Sequence, residues 1–543
     1  MFTPKILVTM KTYTWKGFRA DMGAGVVVGL VALPLAMAFA IASGLPPGRG
    51  LVTAVVAGFL AAALGGSRVS ISGPTGAFVV ILAGIVQKYG YEGLAVATGM
   101  AGVILIIMGL TQMGTLVKYI PYPVTTGFTS GIAVIIFTTQ MRDLFGLQME
   151  SIPSDFLEKW AAYAGAFHTF NPSAVGLFLL TFLCLVFWPR GWKIPGSIVG
   201  LALAAWLAWY FGLPVETVGS RFGTIVRGLP MTHFVVGSWI HMKELLPSAL
   251  TIAMLAAIES LLCAVVSDGM IGSRHKSNME LVAQGVANCV SPFFGGIPAT
   301  GAIARTATNI RNGGRTPVAG IVHSLVLFLI LVAAAPLAER VPLAALAAVL
   351  VLVAYHMSEW RSVKFILSGS KSDIAVLVTT FLLTVLVDLT VAVGVGMVLA
   401  SFLFMRKMAE LTQVKALRHE RDEALFNGDI PKDVEVFSIN GSFFFGAAGK
   451  LMEIDQSLFQ KPKALILEMR GVLHMDTSGL MVLEQVVQRS KSRGVPVLIV
   501  GLHAQPLFAA EKAGFYQRLG ENSFFGTMAD ALKSIQTSED VLG

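Results

Sequence analysis

Charge is scarce in this chain. Only 13% of its 543 residues are Asp, Glu, Lys or Arg, against roughly 25% in a typical soluble domain. Such a composition excludes an ordinary water-soluble protein of this length. Cysteine is scarce too: Cys184, Cys263 and Cys289 all lie in apolar stretches, which suits buried thiols and gives neither a disulfide framework nor paired metal-ligand spacing. No Gly-x-x-x-x-Gly-Lys-Ser/Thr run is present, so a nucleotide-driven pump is not expected. The formal net charge of +8 is spread over loop positions rather than gathered into a groove-like patch. That spread argues against a nucleic-acid partner and for the basic bias of cytoplasmic loops. The expectation is a protein that is not an enzyme and uses no cofactor or metal.

Apolar residues are abundant instead, at 55%, with a mean hydropathy of +0.72. Apolar runs of about 18 residues, enough to cross a hydrocarbon core, recur from Asp21 to Arg406. About fourteen segments begin near Gly23, Leu51, Thr75, Ala95, Val124, Ser173, Pro195, Pro247, Leu281, Thr300, Pro317, Pro342, Asp373 and Val391. The first is preceded by Lys5, Lys11, Lys16 and Arg19 without a small-residue cleavage site, which reads as a cytoplasmic N-terminal segment over residues 1–20. An even number of crossings returns the chain at Arg406-Lys407 to the same side. The expected organisation is a membrane domain over 21–408, a linker over 409–429 and a cytoplasmic domain over 430–543.

A tripeptide occurs twice, as Thr75-Gly76-Ala77 and Thr300-Gly301-Ala302, behind Pro74 and Pro298 and at the head of an apolar run. The copies lie 225 residues apart. Pro34 and Glu259 share that offset, and Ile120-Pro121 and Val341-Pro342 pair at 221. Two copies of seven segments fit this spacing, and an odd number per copy inverts the second. Broken helices at matching places in two inverted halves mark a transporter's binding site near mid-membrane. Each starting helix presents N–H groups without intrahelical partners and about half a positive charge. Two such ends facing each other suit a small anion. Gly76 and Gly301 permit close backbone approach, while the hydroxyls of Ser72, Thr75 and Thr300 either cap the ends or meet the substrate.

Two charges fall inside apolar runs, where each costs about 2.5 to 3.5 kcal/mol on the lenient insertion scale. Glu259 stands alone between Leu250 and Ala264. It either serves the site, as a coupling or substrate-orienting carboxyl, or ties two helices together. Arg305, five residues after Thr300, either attracts the anion or pairs with a carboxylate or backbone carbonyls for structure. Phe39 and Phe78 are candidates for the apolar wall.

Several stretches resemble a known family: Asn278-Met279-Glu280-Leu281-Val282-Ala283-Gln284-Gly285-Val286-Ala287-Asn288, then Phe294-Gly295-Gly296-Ile297-Pro298, Ala304-Arg305-Thr306 and Gly313-Gly314-Arg315-Thr316. With Leu33-Pro34, Ala36-Met37-Ala38-Phe39 and Ser72-Gly73-Pro74-Thr75, this ordered set is similar to the SulP anion transporters, also called solute carrier family 26. The resemblance covers almost the whole chain. It implies an α-helical membrane protein of two inverted seven-segment repeats, divided into core and gate domains, commonly a homodimer, with a C-terminal STAS domain. It places the substrate site at Phe39, Thr75, Gly76, Ala77, Thr300, Gly301 and Ala302, beside Glu259. Two positions depart from relatives. Leu35 stands where many carry Gln, and Glu259 with Cys263 stands where sodium-coupled bicarbonate members look like Asp and Thr. A thiol suits sodium poorly, so proton coupling through Glu259 is favoured over sodium.

Strand-like runs at 434–439, 464–469 and 496–500, with helical patterns between them, read as a small α/β domain. Its Asp476-Thr477-Ser478 resembles the STAS loop in which the hydroxyl after the Asp is phosphorylated, here Thr477. Asp-Thr-Ser before a helix is equally an N-cap sequence. The functional expectation is a proton-coupled importer of a small anion in a bacterial inner membrane, leaning toward a dicarboxylate because Leu35 leaves the pocket more apolar. Sodium-coupled bicarbonate or sulfate transport, a passive anion channel, and a membrane-anchored signalling scaffold are the alternatives.

Overall fold

A computed structural model describes residues 2–149, 153, 155–189, 192, 195–229, 242–387, 389–417, 430–446, 449–451 and 462–540. It falls into two compact units, Met1–Met397 and Val398–Gly543.

The first unit is helical. Its principal helices are α1 (Trp15–Ala42), α2 (Pro47–Leu64), α3 (Gly76–Leu110), α4 (Tyr122–Thr139), α5 (Pro172–Phe187), α6 (Gly196–Tyr210), α7 (Met242–Ile271) and α8 (Ser277–Val290). The series continues with α9 (Ile303–Arg311), α10 (Val318–Ala333), α11 (Leu343–Met357) and α12 (Lys371–Leu386), and α13 (Leu389–Leu411) begins in this unit and ends in the second. Gly90, at φ +66°, divides α3 in two, a backbone state open to Gly at little cost. Helical segments thus stand at all fourteen expected places. Among the described residues, seven helices are long and apolar enough to cross a membrane.

Helices pack closely where side chains are absent. A Cβ on Gly285 of α8 would lie 2.7 Å from the Gly102 carbonyl oxygen of α3, and one on Gly50 of α2 would lie 1.9 Å from the Ala36 carbonyl oxygen of α1. Small residues let membrane helices gain van der Waals contact where lipid gives no hydrophobic drive.

Two breaks interrupt the helices. Ser72–Gly73 (β1) runs into α3 and Thr300–Gly301 (β2) runs into α9. The strands pair antiparallel, Ser72 opposite Gly301 and Gly73 opposite Thr300. Unwound backbone at membrane depth is tolerated only when protein satisfies its polar groups. Buried residues one turn apart on α8 do this. Glu280 accepts from the Gly66 and Ser67 N–H groups at 2.8 and 2.9 Å, Gln284 Nε2 donates to Ser72 Oγ at 2.6 Å, and the Asn288 amide bonds both the N–H and the C=O of Ala299 at 2.8 Å. Thr306 Oγ1 accepts from Ile71 N–H at 2.9 Å and Asn309 donates to the Val69 carbonyl at 2.9 Å. The quoted motifs thereby acquire a physical role as a scaffold for the breaks. Gly313-Gly314-Arg315-Thr316 serves likewise: the Arg315 and Thr316 N–H groups donate to buried Asp21 of α1.

The second unit carries a five-stranded sheet in the order β3-β4-β5-β6-β7. These strands are Gln413–Ala416, Val434–Asn440, Ala464–Gly471, Val497–Val500 and Phe524–Phe525; β3 is antiparallel to β4 and the rest are parallel. The three expected strands are β4, β5 and β6. Both faces are apolar, with Leu467, Met469 and Leu483 on one side and Ile466, Val500 and Leu532 on the other, as covered parallel sheets require. Of the expected linker, residues 409–411 finish α13 and 413–416 form β3, while 418–429 lie outside the described residues. Asp476 caps α14 (Thr477–Ser492), accepting from Gly479 N–H at 2.7 Å, and Thr477 is exposed at its first position.

Candidate functional site

Pairing of β1 with β2 brings the starts of α3 and α9 together at α7. Thr75 Oγ1 donates to Glu259 Oε2 at 2.9 Å, and both residues are half-buried. Gly76 and Ala77 open α3, and a Cβ on Gly76 would lie 3.3 Å from Phe39 Cε1, 3.0 Å from Ile136 Cδ1 and 2.8 Å from Met357 Sδ. Phe39 and Phe78 are buried, and Phe39 is the wall beside Gly76. Six of the expected residues, Phe39, Thr75, Gly76, Thr300, Gly301 and Glu259, are thus joined through contacts with α3, α7 or the β1–β2 pair.

The second tripeptide is wired differently. Ser260 Oγ bonds Thr300 Oγ1 at 2.8 Å and accepts from Gly301 N–H at 3.1 Å, while Thr300 Oγ1 also donates to the Ala256 carbonyl at 3.0 Å. Ala302 N–H donates to the Ile71 carbonyl at 2.8 Å. A Cβ on Gly301 would meet Ser260 Cα at 3.1 Å and Cys263 Cβ at 3.2 Å, so this glycine permits contact with α7. The helix proper begins at Ile303. Helix geometry leaves Gly76 and Ala77 on one side, and Ile303 and Ala304 on the other, without intrahelical acceptors for their N–H groups. Ile303 and Ala304 are also exposed.

Arg305 is 2% exposed, and its Nη2 donates to the Pro74 carbonyl. That bond bridges the two breaks, and Arg305 Nη1 is buried without a hydrogen-bond partner among the described residues. Cys263 Sγ approaches Thr306 Oγ1 at 3.2 Å and Ser70 Oγ at 3.6 Å. Sequence reasoning missed Ser260, Ile303 and Ala304. The first had a signal, since Ser260 stands 225 residues after Leu35 and beside Glu259; the others depend on the strand pairing. A separate cavity lined by Trp209, Leu213, Ser220, Glu339 and Arg340 contains none of the expected site residues.

Chemically, the junction offers two sets of backbone donors, one hydroxyl, one carboxyl and an apolar wall. N–H groups at helix starts suit an oxyanion, and a carboxyl beside them is a group whose charge depends on protonation.

Comparison with known proteins agrees along the whole length. The sulfate permease family model matches residues 18–380, and the STAS domain model matches 427–531. A putative sulfate transporter of Bacillus subtilis, YvdB, is 43% identical, over 95% of this chain and 97% of its own. The bicarbonate transporter BicA of Picosynechococcus sp. is 31% identical, over 96% of this chain and 95% of its own. Among solved structures, the murine Solute Carrier 26 family member A9 anion transporter superposes with a TM-score of 0.87, covering 98% of this chain and 94% of that one, at 19% identity. That likeness speaks to the fold. A charge-poor helical unit with paired breaks, followed by a small parallel sheet, is here the architecture of an anion transporter: the chain belongs to the sulfate permease family, the SulP or solute carrier 26 transporters, and ends in a STAS domain.

Proposed function

We propose that this protein is a secondary active importer of a small oxyanion, driven by protons and working by alternating access in a bacterial inner membrane. The anion sits between the starts of α3 and α9. It takes the N–H groups of Gly76, Ala77, Ile303 and Ala304 and the Thr75 hydroxyl, with Phe39 as wall; Thr300, Gly301 and Ala302 hold the second helix end in place. Glu259 is the coupling residue. The carboxylate claims the Thr75 hydroxyl and repels an anion; protonation removes the repulsion and frees the hydroxyl for the substrate. The carrying observation is the bond from Thr75 to Glu259 at the point where the two breaks pair.

In the same reading the N-terminus and STAS domain are cytoplasmic, the chain crosses the membrane fourteen times as two inverted repeats, and it forms a homodimer. Thr477, exposed at a helix start, is the candidate for regulatory phosphorylation. A sodium-coupled bicarbonate reading rests on the relative named a bicarbonate transporter. Opposing it, Cys263 offers sulfur, held by two hydroxyls, one turn after Glu259, and sodium prefers oxygen ligands. Purified protein in proteoliposomes, offered labelled sulfate, bicarbonate, chloride, succinate and fumarate under proton, sodium or no gradient, tests this. Oxyanion uptake accelerated by an inward proton gradient is expected. Uptake that needs sodium, or flux indifferent to both gradients, would replace the reading with the symporter or channel.

A further inference from the structure

A second concentration of charge lies outside the anion site, where the chain's N-terminal segment packs on the loops that lead into the breaks. Lys5 N–H donates to the Gly65 carbonyl at 2.9 Å, and Lys5 Nζ donates to the Arg274 carbonyl at 2.8 Å. Lys276 N–H donates to the Gly66 carbonyl at 3.0 Å, and Lys276 Nζ reaches Thr3 Oγ1 at 2.8 Å and the Thr3 carbonyl at 3.2 Å. These bonds bring Lys5 and Lys276 to one place, with the Arg274 backbone held by Lys5 and the Arg68 charge close enough to act on the Lys5 amine. Among the described residues, none of the four contacts a carboxylate, and Arg68 Nε is buried without a hydrogen-bond partner. Nearby acids are committed elsewhere. Asp268 pairs with His275 Nδ1 at 2.7 Å and accepts from Ser273 Oγ at 2.8 Å, and Glu280 is occupied by the Gly66 and Ser67 N–H groups. Burial, then the Arg68 and Lys276 charges, push the Lys5 amine below its ordinary range, with Asp268 opposing. Lys5, Lys276 and Arg68 repel one another here with only Asp268 opposing, so a further anion would be held among them.

The neighbouring surface identifies the anion's carrier. Phe2, Leu7, Val8, Met10 and Trp15 are exposed, Trp15 at 66%, interleaved with exposed Lys11, Lys16 and Arg19. Trp15 stacks on Phe18 at 5.1 Å, with the Arg19 guanidinium 5.5 Å from its ring. Large apolar side chains alternating with cations are the composition of a segment lying in a bilayer interface. We infer that Lys5, Arg68, Arg274 and Lys276 bind the phosphate of an anionic phospholipid headgroup, its acyl chains passing over the apolar side chains of residues 2–15. The bound lipid neutralises the cluster and steadies residues 65–68 and 274–276, the approaches to β1 and α8.

Native mass spectrometry of the full chain in detergent, titrated with phosphatidylglycerol or phosphatidylcholine, tests this directly. One retained phosphatidylglycerol is expected on the wild type, its affinity reduced about a hundredfold in Lys5→Gln/Arg68→Gln/Lys276→Gln and kept in the charge-conserving Lys5→Arg/Lys276→Arg. Thermal unfolding with added phosphatidylglycerol should shift upward in the wild type and the charge-conserving variant and stay unchanged in the neutralised one. If the triple variant fails to fold, Arg68→Gln alone carries the same comparison. Equal retention of both lipids, or of phosphatidylglycerol by wild type and neutralised variant, would overturn the site. An equal thermal shift with inorganic phosphate would make the ligand a free oxyanion and overturn the lipid assignment.

Discussion

The two breaks share a sequence pattern and differ in wiring. At the first, the Thr75 hydroxyl reaches the half-buried Glu259 and the Gly76 Cα faces side-chain tips of Phe39, Ile136 and Met357. At the second, Thr300 is buried, Gly301 N–H is held by Ser260 and the Gly301 Cα faces the α7 backbone. Internal repetition in a chain therefore locates a site without dividing its labour. The second copy uses its tripeptide as a clasp on α7, and in the proposed binding mode the anion meets the first copy early in its tripeptide and the second copy two residues later.

The same substitution in both copies should break this comparison most visibly. Gly76→Val places methyl groups among flexible side-chain ends, so the protein should fold and anion binding should fall beyond calorimetric detection. Gly301→Val drives them into backbone, where overpacking costs about 1–3 kcal/mol or more; its thermal midpoint should drop well below that of Gly76→Val. Matching stabilities in the two variants would erase the distinction. Ser260→Ala strands the buried Gly301 N–H, at a cost of about 1–3 kcal/mol. It should lower the midpoint in thermal unfolding and weaken anion binding less than Gly76→Val does. Smallest is the effect of removing the STAS unit. A chain ending at Leu411 keeps every proposed site residue, so its anion affinity should stay within a few-fold of the intact protein, measured by calorimetry on well-folded material.

The breaks were legible because proline, glycine and threonine interrupt apolar runs at one offset, and Glu259 because a lone carboxyl in such a run is costly. The strands were legible at 434–439, 464–469 and 496–500 as short, mainly apolar runs, and they form at Val434–Asn440, Ala464–Gly471 and Val497–Val500. Less legible was whatever depends on pairing across the chain. That the Ile71 carbonyl takes the Ala302 N–H follows only from the antiparallel register of β1 and β2, and that Ser260 takes the Gly301 N–H only from the packing of β2 on α7. Nothing local distinguishes the role of Gly301 from that of Gly76. Gln413–Ala416 is too short and too polar to declare itself a strand, and it becomes one by pairing with β4. Glu280, Gln284 and Asn288 carried a one-turn spacing in plain view, yet their partners are backbone groups and one hydroxyl of the unwound segments, which helical periodicity does not reveal.

In the proposed mechanism one carboxyl at this junction, Glu259, couples the proton to the anion. The most direct test of that claim is the initial rate of anion uptake into proteoliposomes at mildly acidic and near-neutral external pH, for the wild type and Glu259→Gln. The glutamine fixes the neutral form, so the variant should bind anion yet show the same uptake rate at both pH values, while the wild type accelerates on acidification. Retained acceleration in Glu259→Gln would contradict the claim and leave Glu259 as a structural tie between α7 and α3.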